Sequence, residues 1–334
     1  DHDTPESWED HMRESWIRDL SWNLISLLET AETLREVNAK NETITHIEEF
    51  LRDDIGKVLH FLNQDRWLDK FNQPIIDHGS FTALSSYPPE VHSKQDGTEC
   101  HWDQNQPESW GELLIAVGTA KENRIVAEYS EEQMHIIRAI TAYLIRIQPW
   151  KFSGAGMWEG LPAHTPSSRS NAIAIAKGLD AVRMLFQADS ALQEEIDTTV
   201  LRTMTFVKED INTDYTVPEG HPDGADLAIL ATMILPSSER TELSFADYVE
   251  ANKTKLQIGP LPGAIRYKGD SYKRGEYGEA RWFMADPILA IGYFKEAKNE
   301  LRKGNPKKAK VYAAIAQSRL NQALQISKHY GHDV

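Results

Sequence analysis

One cysteine, Cys100, stands alone in 334 residues. It excludes a disulfide within the chain and every metal site built from several cysteines. No apolar run approaches the roughly 18 residues that a membrane span requires. The longest, between Ala225 and Leu235, is interrupted by Asp226. Positive charge is also short: 36 Lys and Arg stand against 51 Asp and Glu, a formal net charge of −15. A nucleic-acid partner needs a positive excess to neutralise phosphates, and an anionic membrane surface repels such a chain. A neutral substrate such as a sugar suits it better. No leader peptide is visible at Asp1, which with one free cysteine leans towards the cytoplasm. Gly-rich phosphate loops, H-E-x-x-H, EF-hand loops and G-x-S-x-G are missing too, so neither a cofactor nor a metal is expected.

Alternating strand patterns longer than a few residues are also missing, whereas helical periodicity is everywhere. Trp16, Leu20, Leu24, Leu27, Leu28, Ala31 and Leu34 recur at steps of three and four, which draws one apolar stripe along a helix. Ile136, Ile137, Ile140, Tyr143, Leu144 and Ile147 repeat the pattern. Helices are expected at 5–37 (or only from Ser15), 42–63, 107–122, 130–148, 167–187, 190–209, 223–235, 243–254, 278–301 and 305–330. Pro149, Pro236 and Gly304-Asn-Pro306 mark stops. The fold class is therefore all-α. With no Ser/Gly linker, residues 1–334 form a single domain, long enough to bury a sizeable core without staples.

Links between these helices alternate in length. Short ones fall at 38–41, 123–129, 188–189 and 302–304, long ones at 64–106, 149–166, 210–222 and 255–277. Such alternation puts tight turns at one end of a hairpin array and elaborated loops, the usual home of function, at the other. Inner helices beginning near Asp19, Ser109, Ser168, Gly224 and Glu279 should line one mouth. Compact polar-aromatic clusters lie along this chain of loops: Ser15-Trp-Ile-Arg-Asp19, His101 to Glu112, Gly156-Met-Trp-Glu-Gly160, Arg266-Tyr-Lys-Gly-Asp270 and Gly278-Glu-Ala-Arg-Trp282. One Trp-Glu or Arg-Asp pair is ordinary at a helix start. Recurrence at one end of an array is what points to sugar recognition, in which rings cover apolar sugar faces and charged groups take the hydroxyls.

These segments, taken in order, resemble the glucoamylase-like glycoside hydrolase family and the related regulatory subunits of phosphorylase kinase. SWIRDLSWNLISLL is similar to the family's W-x-R-D segment, DQNQPESWGELLIAV to its P-Q-x-D segment with Glu108 in place of Asp, and GMWEGLPAHTPSSRS to its W-E segment. ADLAILATMILP, GAIRYKGDSY and GEARWFMADPILAIGYF resemble the late helices and the R-Y turn. The resemblance implies an (α/α)6 toroid that hydrolyses α-glucosidic bonds of oligo- or polysaccharides by an inverting acid/base mechanism. It implies Glu159 as the general acid, with Trp158 beside it. Arg18 and Asp19 would hold the terminal sugar, Asp19 through a buried hydrogen bond. Trp102 or Trp110 would line the cleft, Arg266 would contact hydroxyls, and Tyr272, Glu279 and Trp282 would shape the mouth.

Two departures keep a second reading open. Gly160 stands where the family often has a second carboxylate. The family's general base lies in a segment expected after RLNQALQISKHYG, so the toroid is expected to be incomplete at its C-terminal end. Asp223, Asp226 or Glu279 could substitute for that base. The alternative is a non-catalytic glucan-binding or regulatory domain like the kinase subunits. The particular sugar, the linkage and the oligomeric state stay open.

Overall fold

The computed structural model describes residues 15–63, 68, 71–72, 86–87, 107–151, 167–211, 227–265 and 281–329. In chain order its helices are α1 (Ile17–Glu36), α2 (Asn41–Leu62), α3 (Glu108–Glu122), α4 (Glu131–Arg146) and α5 (Ser167–Val182). Then follow α6 (Ser190–Ile211), α7 (Leu227–Met233), α8 (Phe245–Asn252), α9 (Ala285–Arg302) and α10 (Pro306–His329). The expected helices are present, with shifted starts. The first begins at Ile17, because Ser15–Trp16 form a short strand, β1, antiparallel to β2 at Ser86–Tyr87. The ninth begins at Ala285, because the backbone of Trp282 is held in a bridge to Ala264.

Burial sorts the helices into two layers. In α3 every residue from Glu108 to Val117 is buried, and in α7 every residue is. A helix covered on all sides belongs inside. By contrast, α4 buries Ile136, Ile137, Ile140, Tyr143 and Leu144 and turns its remaining face outward. The inner set is α1, α3, α5, α7 and α9; α2, α4, α6, α8 and α10 lie outside.

Side-chain contacts show that neighbouring inner helices run parallel. Arg18 and Trp22 of α1 meet Glu108 and Glu112 of α3, each contact spanning 90 residues. Helices α3 and α5 touch backbone to backbone: a Cβ at Gly111 would lie 2.7 Å from the Ala174 carbonyl oxygen, and one at Gly118 would lie 2.4 Å from that of Ala181. Larger residues would force this pair apart. Lys177 of α5 reaches the carbonyls that end α7, and Lys295 and Lys298 of α9 reach Glu29 and Glu36 of α1, which links the last inner helix to the first.

Three of the four short links share one turn. Asn38, Arg124 and Gly304 take positive φ after α1, α3 and α9. In each case the next amide bonds back across the turn: Ala39 to Leu34, Ile125 to Ala120, and Asn305 to Glu300. This is the left-handed termination that satisfies the last helical carbonyls. All inner helices therefore end at one face, where a cavity of 1130 Å³ opens between Glu29, Glu36, Lys177, Arg240, Lys295 and Lys298. Their N-termini lie at the other end, beside the long connections. No helix among the described residues is long and apolar enough to cross a membrane.

Candidate functional site

The W-x-R-D segment sets the first turn of α1 at the N-terminal end. A cation is disfavoured there by the helix dipole, so Arg18 needs a counter-charge. Glu108, at the start of α3, supplies it: Arg18 Nη2 donates to Glu108 Oε1 at 2.9 Å. The guanidinium side chain is 12% exposed and the carboxylate 2%. Breaking such a buried pair by removing one partner costs about 3–5 kcal/mol. Asp19, expected in a buried bond, is exposed.

One turn deeper, Trp22 Nε1 donates to Glu112 Oε1 at 3.0 Å. Glu112 is fully buried, and burial pushes its carboxyl up to about 8. Arg18 and the Trp22 hydrogen bond pull it back down; Glu108 and Asp19 raise it further. Its second oxygen, Oε2, has no hydrogen-bond partner among the described residues, nor do Ser109 Oγ and the side-chain amide of Asn171. Asn171, 2% exposed, sits on α5, the other neighbour of α3. These residues were not singled out as site residues by sequence reasoning. The available signal was the four-residue spacing of Glu108 and Glu112, matched by Arg18 and Trp22.

Trp110 does not line a cleft. It is 1% exposed, and its ring meets Phe71 edge-on at 4.9 Å; Phe71 in turn meets Tyr143 at 5.6 Å. Two residues after Glu108, its side chain leaves α3 on the opposite face, towards the core. Trp282 is half-buried just before α9, its backbone paired with Ala264. That pairing clamps together the two flanks of residues 266–280. Asp286, fully buried in the first turn of α9, secures the same region by accepting from the Gly263 amide at 2.7 Å and from Arg319 of α10 at 3.1 Å. Trp102, Trp158, Glu159, Arg266, Tyr272 and Glu279 lie outside the described residues, as do Asp223 and Asp226. Among the described residues, no cluster of three or more His, Cys, Asp or Glu could hold a metal ion.

This arrangement, parallel inner helices within an outer layer and a polar N-terminal mouth, is an (α/α)6 toroid of the kind found in glucoamylases. Two solved structures carry that likeness. The glucoamylase from Saccharomycopsis fibuligera superposes with a TM-score of 0.64 at 14% identity, over 92% of this chain and 77% of that one. The Hormoconis resinae glucoamylase gives 0.56 at 17% identity, over 93% of this chain and 59% of that one. At such identities the likeness is one of fold. No protein-family model and no curated protein matches the chain.

Proposed function

We propose that this toroid holds the end of an α-glucan at its N-terminal mouth and hydrolyses its terminal α-glucosidic bond. The observation that carries the reading is the Arg18–Glu108 pair: the W-x-R-D arginine, anchored on the neighbouring inner helix at the mouth of a glucoamylase-type fold. A guanidinium fixed by a buried carboxylate is held in one orientation at the mouth, and its planar fork of donors is of the kind that suits ring hydroxyls. Asp19, exposed beside it, supplies an acceptor for the same sugar.

Glu159 is our choice of general acid. It protonates the glycosidic oxygen as the bond to the anomeric carbon breaks. Water attacks that carbon from the opposite face and gives its proton to a second carboxyl, about 6.5–9.5 Å from the first in inverting enzymes. Gly160, standing where a further carboxylate is usual, favours a second reading, in which the mouth binds glucan without cleaving it.

Glucose release from maltooligosaccharide and isomaltooligosaccharide panels, run beside calorimetry, separates the two. Hydrolysis predicts release that falls about 10²–10⁴-fold in Glu159→Gln. Binding without release supports the second reading. Neither binding nor release rejects both. Asp19→Asn should weaken binding without unfolding the protein.

A further inference from the structure

Helices α3 and α7 are covered on every side, as inner helices should be. Helix α9 also belongs to the inner ring, yet Met284, Ile291, Phe294 and Leu301 are 40–59% exposed. At about 100° per residue these four fall in one stripe along the helix. On the other side of the junction, α1 leaves Asp19, Asn23, Ser26, Thr30, Thr33 and Val37 exposed, again on a single face. Lys295 and Lys298 of α9 reach across to Glu29 and Glu36. The ring thus has an open seam between α9 and α1. A contiguous apolar stripe left exposed in this way marks a surface for association.

The two edges of the seam carry opposite charge. Over residues 285–329, the α9–α10 edge, nine Lys and Arg stand against three Asp and Glu. Over residues 17–62, the α1–α2 edge, five stand against nine. Each outer helix also exposes an apolar side chain with charge one turn away: Val311 beside Lys307 and Lys308 on α10, and Phe50 beside Asp53 and Asp54 on α2. A nucleic acid or an anionic membrane would be drawn to the first edge and repelled by the second. A basic peptide would meet the reverse problem. Both edges are satisfied by a surface that carries both signs in the opposite order. A second copy of this chain, turned about a two-fold axis parallel to the inner helices, presents that order.

We propose that the seam is the interface of a two-fold homodimer, with the α9 stripe at its centre and the basic α9–α10 edge of each copy against the acidic α1–α2 edge of the other. The patch is then self-complementary, which an isologous interface requires. An apolar and aromatic centre with a charged rim is the usual anatomy of such an interface. Dimer formation does not depend on the glucan reading.

Sedimentation velocity of the whole chain, with circular dichroism to confirm folding, tests this. The wild type should run at twice the chain mass. Ile291→Asp with Phe294→Asp should run as a folded monomer. Charge reversal then fixes which edges meet. Lys307→Glu with Lys310→Glu reverses the basic edge and leaves Lys308, which bonds Glu300, in place. Asp53→Lys with Asp54→Lys reverses the acidic one. Each reversed chain alone should dimerise roughly tenfold or more weakly, because like charges are brought together. Mixed in equal amounts, the two reversed chains should pair again, since every basic edge then meets an acidic one. If the Ile291 and Phe294 variant does not fold, this mixing experiment decides. A wild type that stays monomeric up to about 100 μM overturns the proposal. So does a dimer that survives both reversals, or reversed chains that fail to pair on mixing. A monomeric wild type that sediments with phosphatidylserine vesicles, and loses this in Lys307→Glu with Lys310→Glu, assigns the basic edge to a membrane and also overturns it.

Discussion

The two ends of the inner ring each bury an ionisable side chain, and they treat it in opposite ways. At the turn end, Lys177 is 2% exposed, and its Nζ donates to the carbonyls of Thr232, Met233 and Leu235 at 2.9, 3.0 and 2.8 Å. All three of its donors are used. Burial drives its pKa well down, and nearby Lys295 adds to this; Glu29 and Glu242 oppose it. At the mouth end, Glu112 has one hydrogen bond, and its other oxygen has no partner among the described residues. The lysine behaves as a clamp that closes the end of α7 and ties it to α5. The glutamic acid carries an unsatisfied atom, a cost of about 1–3 kcal/mol that proteins tolerate mainly where a site demands it. The surrounding turn end agrees with the clamp: Arg183 forks onto Asp197 at 2.6 and 2.8 Å, and Arg240 pairs with Asp180 at 3.1 Å. The contrast is between these two ionisable side chains and not between the ends as wholes: Asn123 Nδ2 and Thr241 Oγ1 at the turn end are also buried without a partner among the described residues, and Asp286 at the mouth end is fully bonded.

The largest effect should come from breaking the clamp. Lys177→Met leaves three buried carbonyls without donors and should cost about 3–4 kcal/mol of stability. Urea unfolding measures the loss. If the contrast is sound, the residual folded protein keeps its glucan affinity, because nothing at the mouth has changed. Lost affinity at full occupancy of the folded state would mean that the two ends are coupled.

A smaller effect, of opposite sign, should come from Glu112→Gln. The unfolded chain sheds this proton from about 4.5 upward, whereas the folded chain keeps it until about 8. Between those values the folded state binds the extra proton, so wild-type stability falls as pH rises and levels off above 8. The amide cannot ionise, so the variant should lack this slope. At pH 8 it should be more stable than the wild type. Denaturation of both proteins from pH 5 to 9 checks this. Parallel pH profiles would show that Glu112 titrates normally.

How far these two residues could be read from the sequence differs for physical reasons. The helices, the short links and the parallel inner set follow from local apolar periodicity and turn residues, and both are written in consecutive positions. Arg18 stood out because its segment is compact. Trp110 was misjudged as cleft-lining because sequence adjacency to Glu108 hides the helical rotation that sends it to Phe71. Lys177, inside AIAIAKGLDAV, reads as a surface lysine; its acceptors lie at the end of α7 and just past it, 55 to 58 residues away. Glu112 appears in a polar-aromatic cluster, but its half-satisfied state exists only once α1 and α3 are side by side. The β1–β2 pair, with two residues in each strand, is too short to leave an alternating pattern. Periodicity reports which face of a helix is apolar. It does not report which distant backbone completes a buried polar group.

The smallest predicted effect tests whether the turn end depends on buried clamps or on charge in general. Lys298 links α9 to Glu36 of α1 at 2.6 Å, and both side chains are about half exposed, at 43% and 50%. Water screens such a pair, and ordering two long side chains offsets much of the attraction, so exposed pairs contribute about 0–1 kcal/mol. Lys298→Ala should therefore shift the urea midpoint only slightly, and the shift should shrink further in high salt. Lys295, which bonds both Glu29 and the Ile234 carbonyl, would still link α9 to α1. Glucan affinity should not change, since the substitution lies at the turn end. A loss approaching that of Lys177→Met would mean that the junction between α9 and α1, made through lysine side chains, limits the stability of the ring, and the division into a clamped end and a working end would need to be redrawn around that seam.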